Sequence, residues 1–71
     1  MTLNDDFTSD LVSGDAYDEA TGTLAIRFRS NGTVWHYNGC SPAMWEAYST
    51  SESKGKYFHQ NIKKNLQGVK Q

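Results

Sequence analysis

Between residues 23 and 29 apolar and polar side chains alternate without a break. Leu24, Ile26 and Phe28 fall on one side, and Ala25, Arg27 and Arg29 on the other, which predicts a half-buried strand. Asn31-Gly32 follows, a hairpin signal because a type I′ turn needs positive φ at both central residues. A further strand is expected over residues 33–38. A two-residue turn there sets Arg29 opposite Val34, Phe28 opposite Trp35, Arg27 opposite His36 and Ile26 opposite Tyr37. Leu24, Ile26, Phe28, Trp35 and Tyr37 then share an apolar face, while Arg27, Arg29 and His36 share the other with Val34.

Upstream, residues 11–17 read as a first strand that Gly14 interrupts with a bulge, and residues 18–22 read as a turn. Downstream, Ser41 is a favoured N-cap and Pro42 a favoured first helical residue, which predicts a helix over 42–48. A second helix is expected over 56–67, where Phe58, Ile62 and Leu66 recur every four residues as a buried stripe. Lys56, Gln60, Lys63, Lys64 and Gln67 fall on its opposite, basic face. The expected fold is α+β, a three-stranded antiparallel meander followed by two short helices on one sheet face, in the order β-β-β-α-α. Residues 1–9 read as a flexible leader, 10–67 as a single domain and 68–71 as a tail.

Composition narrows the function classes. Seventy-one residues make one domain, with little core to spare for a deep pocket. The nine Phe, Trp and Tyr rings must supply much of that core. The single cysteine, Cys40, has no intrachain partner and fits a reducing, cytoplasmic setting. The acidic start lacks the basic and apolar segments of a secretory signal, and no apolar run is long enough to span a membrane.

Charge is divided along the chain. Residues 1–23 carry six acidic side chains and no Lys or Arg, whereas residues 24–71 carry seven basic and two acidic ones. An anionic partner such as RNA would be met by Arg27, Arg29 and His36 on the sheet and by Lys54, Lys56, Lys63 and Lys64 on the second helix. Ser53, Lys54, Gly55 and Lys56, at the start of that helix, could hold a phosphate or carboxylate. The same residues also make an ordinary solvated surface, and the net charge of −1 is not that of a strongly nucleic-acid-binding module. Trp35 and Tyr37 would stack bases if exposed, but their place beside Ile26 and Phe28 assigns them to the core.

No pair among His36, His59 and Cys40 has metal-ligand spacing, and a Cys40–His36 or Cys40–His59 dyad would lack an orienting third group. The expectation is a non-enzymatic binding module without metal or cofactor. Its partner is an anionic molecule such as RNA, or alternatively a host protein docked through exposed aromatics or a sheet edge.

The hairpin, the aromatic pair around His36 (Trp35-His36-Tyr37), the short helix and the run Ser53-Lys54-Gly55-Lys56-Tyr57-Phe58 with Ile62 together resemble the KTSC domain. That family is named for the C-terminal module of some lysyl-tRNA synthetases, and also occurs as stand-alone small proteins of bacteria and phages. The resemblance covers about residues 9–66. It implies no established activity; RNA binding has been suggested through the synthetase connection. The chain departs from the family pattern in Trp35, which replaces a Tyr, in Asn38-Gly39-Cys40-Ser41-Pro42 after the motif, and in His59. Asp15 stands where an apolar residue is expected.

Overall fold

A computed structural model describes residues 2–71. The strands of the meander are β1 (Asn4–Asp5), β2 (Val12–Asp18), β3 (Thr23–Phe28) and β4 (Val34–Tyr37). Then come α1 (Pro42–Ser49) and α2 (Lys54–Tyr57), the latter widening into a π-helical segment (Phe58–Ile62) and closing with a last turn (Lys63–Asn65). The final strand is β5 (Gly68–Lys70). All neighbours are antiparallel, in the order β1-β2-β3-β4-β5.

The sheet therefore has five strands among the described residues, not three. The two additional strands lie in the stretches expected to be leader and tail. Neither has the alternation that marks a strand. Asn4-Asp5 is polar throughout and is fixed from outside, by Arg27 and by the buried Asp6 that follows it. Gly68 admits β5 beside β4, since a Cβ there would come within 2.4 Å of the Tyr37 ring.

The β3–β4 pairing also differs from the expectation. Arg27 faces Val34, Ile26 faces Trp35, Ala25 faces His36 and Leu24 faces Tyr37, a shift of two residues. Gly32 takes φ 70°, but Asn31 does not take positive φ, so no type I′ turn forms. Instead the Asn31 side chain closes a local turn by accepting from the Thr33 N–H and hydroxyl. The hairpin loop is correspondingly longer, with the Phe28 N–H donating to the Thr33 carbonyl at 2.9 Å. A slip of two leaves every side chain on its original face, so the division into an apolar and a basic face holds.

The Gly14 bulge is present as an irregularity between Val12 and Gly14. Ser41 caps α1 by accepting from the Met44 N–H at 3.1 Å. The second helix starts two residues earlier and ends two residues earlier than the stripe suggested, and Leu66 lies in extended backbone.

Leu24, Ile26 and Tyr37 from the sheet meet Tyr48 of α1 and Phe58 and Ile62 of the second helix in one core. Phe58 stands edge-on to both Phe28 and Tyr37, at centroid distances of 5.6 and 5.1 Å. Phe28 and Trp35, also expected in the core, are only half-buried at its border.

Candidate nucleic-acid interface

Three of the basic residues assigned to an anionic partner are held within the fold. Arg27 extends across the outer sheet face over Gly14. Its guanidinium donates to the Ser13 hydroxyl at 3.0 Å, to the Ser13 carbonyl at 2.8 Å and to Asp5 at 2.6 Å. A Cβ on residue 14 would lie 2.8 Å from that guanidinium, so glycine makes the crossing possible. Arg29 donates to the carbonyls of Ser9 at 2.9 Å, Val12 at 3.2 Å and Asp6, tying the N-terminal segment to the hairpin.

Lys54 turns inward between two buried carboxylates, 3.2 Å from Asp6 and 3.4 Å from Asp15. Asp15 also accepts from the Tyr48 hydroxyl at 3.0 Å, so the unexpected acid in β2 is partnered on the helix side of the sheet. Asp6 is ordered by Thr8, whose hydroxyl and N–H donate to the same carboxylate oxygen at 2.7 and 2.8 Å. Those hydrogen bonds hold its pKa down at about 2. Burial by itself lowers the Lys54 ammonium, but the two carboxylates outweigh it and raise its pKa. Burial, then the Asp15 charge, pushes the Tyr48 phenol well above its ordinary range.

Residues 53–56, the expected anion-binding helix start, line a polar cleft of about 300 Å³ together with residues 8–11 and Ser51 and Glu52. An anion entering it would meet Asp10 and Glu52, while the Lys54 ammonium is directed toward Asp6 and Asp15. Ser53 makes no side-chain cap, and Gly55 packs closely on Leu11. These surroundings suit a junction between the N-terminal segment and the helix better than an anion seat. His36 lies half-buried on the outer face between Ala25 and Val69.

A different constellation forms on the helix side of the sheet. Phe28, Trp35 and Tyr37 line a cleft of about 290 Å³ whose rim carries Ser30, Asn31, Thr33 and Lys63. Trp35 pairs with Lys70 across β4 and β5, which places that lysine on the same face as the indole. The aromatic wall thus has one exposed lysine from the helix and one from the last strand beside it. Lys56 and Lys64 are exposed elsewhere on the helix surface.

Lys70 and the polar rim have no signature in the sequence. Lys70 sits in a three-residue strand, and the rim depends on the longer hairpin loop. Cys40 is buried, and that burial raises its thiol pKa, which disfavours the reactive thiolate. No helix among the described residues is long and apolar enough to cross a membrane.

Comparison with known proteins gives a consistent assignment. A crystal structure of a KTSC domain protein from Yersinia pestis superposes with a TM-score of 0.90 at 24% identity, covering 99% of this chain and 96% of that one. This likeness establishes a shared fold. None of the curated proteins matches significantly. The KTSC domain profile matches residues 8–65, most of the chain and all of its helices. The chain belongs to the KTSC domain family.

Proposed function

We propose that this domain is a non-catalytic module that binds single-stranded nucleic acid, RNA in the first place, within the cytoplasm. The observation that carries the reading is the half-buried Trp35 in a cleft with Phe28 and Tyr37, flanked by Lys63 and Lys70. Aromatic faces stack bases whatever their sequence, and adjacent lysines neutralise the phosphates that connect them. The volume of about 290 Å³ suits a short, exposed segment of a strand rather than a duplex groove. The proposed interface is thus narrower than the full set of basic residues. It rests on Lys63 and Lys70, while Arg27, Arg29 and Lys54 serve the fold.

The test is fluorescence anisotropy of a labelled single-stranded RNA decamer at low salt. Trp35→Leu removes the stacking surface and should weaken binding by at least about fivefold, since a stacked base is worth about 1–3 kcal/mol. Unchanged affinity in a folded Trp35→Leu protein would remove the cleft from the interface.

A further inference from the structure

The rim of the aromatic cleft carries a hydrogen-bonding group with only one available polarity. Asn31 Oδ1 accepts from the Thr33 N–H at 3.1 Å and from the Thr33 hydroxyl at 2.7 Å. A backbone N–H can only donate, so the atom facing it must be the amide oxygen, and the orientation of the side chain is fixed by chemistry. Both lone-pair directions of that oxygen are engaged. The amide NH₂ is the group left to an incoming ligand, and Asn31 lines the same cleft as Trp35.

An unconstrained asparagine reads adenine by donating and accepting at once. Asn31 cannot do so while its oxygen closes the hairpin loop. It presents donors alone, which match a keto oxygen and leave an exocyclic amino group unpaired. We infer that Asn31 makes the cleft selective for keto over amino bases, so that uracil is preferred to cytosine at the position stacked on Trp35. This inference rests on the nucleic-acid reading of the cleft. Uracil and cytosine have the same size and stacking geometry but differ at positions 3 and 4. Uracil offers an N3–H donor and a keto oxygen, cytosine an N3 acceptor and an amino group, so the preference is set where the Asn31 amide meets position 4.

The experiment uses the full chain and single-stranded RNA decamers of uridine and of cytidine, followed through the Trp35 indole N–H in ¹H–¹⁵N spectra. The Trp45 indole, stacked on Tyr17 at 5.4 Å, is the internal reference. The uridine decamer should bind about threefold to tenfold more tightly, the range of one net hydrogen bond. Asn31→Asp keeps an oxygen for Thr33 and replaces the donor with an acceptor. The added negative charge weakens both decamers, but the uridine-to-cytidine ratio should fall to one or below. Equal affinity of the two decamers for the wild-type protein, with Trp35 shifting in both, would overturn the base selectivity and leave the cleft as an unselective binding site. An unchanged ratio in Asn31→Asp would overturn the role of Asn31. Binding that leaves the Trp35 signal in place would overturn the inference and move the interface away from the cleft. No binding by either decamer would overturn this inference together with the proposed function.

Discussion

Lys54 occupies a largely enclosed, charged environment. Its side chain keeps about a quarter of its exposure, yet it balances two carboxylates that are almost fully buried. Removing one member of a buried charge group leaves the others without compensation, which costs more than the group contributes when intact. Lys54→Met should therefore destabilise the domain by about 2 kcal/mol, a value reduced from the usual range because the ammonium is partly solvated. Urea unfolding measures it, and a change below about half a kcal/mol would show that the carboxylates have another source of compensation.

Asp6 makes the same cluster sensitive to acid. Its folded pKa of about 2 lies below the ordinary 3.8, so between those values the unfolded chain binds more protons than the folded one. The stability it contributes is complete above pH 3.8 and is lost as pH falls through 2. Asp6→Asn should flatten the fall in urea midpoint between pH 4 and about pH 2 relative to wild type. An identical pH profile in the variant would place the acid sensitivity in another carboxylate.

Individual elements differ in how much of their structure their own residues supply. β3 carries its alternation and Ser41-Pro42 carries its cap, and both lie where local propensity puts them. β5 has no such support. It depends on Gly68, against which the Tyr37 ring packs too closely for a side chain. Gly68→Ala should cost about 1–3 kcal/mol by overpacking. It should also raise amide exchange in β4 and β5 selectively, because that strand pair is what the added methyl displaces. Uniform acceleration across the sheet would instead mean that β5 and the core unfold together.

The β3–β4 loop shows why a short motif can mislead about geometry. Asn-Gly favours a two-residue turn only if Asn takes positive φ, and here the Asn31 oxygen finds a better use in the donors of Thr33. The pairing shifted by two as a result, while the faces did not change. The same choice created the polar rim of the cleft.

At the scale of the whole molecule, the acidic N-terminal third and the basic remainder are partly neutralised by one another. Asp5 meets Arg27, and Asp6 and Asp15 meet Lys54. The basic charge that remains most available is on Lys56, Lys63, Lys64 and Lys70, all exposed. Arg27→Gln and Lys63→Gln should consequently separate two properties. Loss of Lys63 should reduce the slope of log affinity against log salt by about 0.7, the value for one phosphate on a single strand, and leave the urea midpoint unchanged. Loss of Arg27 should lower the urea midpoint and leave the salt slope unchanged. If both variants alter the slope equally, the outer sheet face also takes part in binding.

Hydrophobic order along the chain determined the α+β class, the apolar face of Leu24, Ile26 and Tyr37, and the Phe58–Ile62 stripe. Those features depend on which residues seek burial, and periodicity carries that information directly. The family resemblance was also legible, because it rests on runs of adjacent residues, and the match over residues 8–65 bears it out. Tertiary structure decided the strands at both ends, the hairpin register, and which charges face solvent. Each of these depends on partners distant in sequence. Arg27 is 22 positions from Asp5, Lys54 is 39 from Asp15, and Trp35 meets Lys70 only after both helices have turned the chain back to the sheet. A basic side chain looks the same in the sequence whether it binds a phosphate or its own N-terminus, since only folding brings the competing carboxylates and carbonyls within reach.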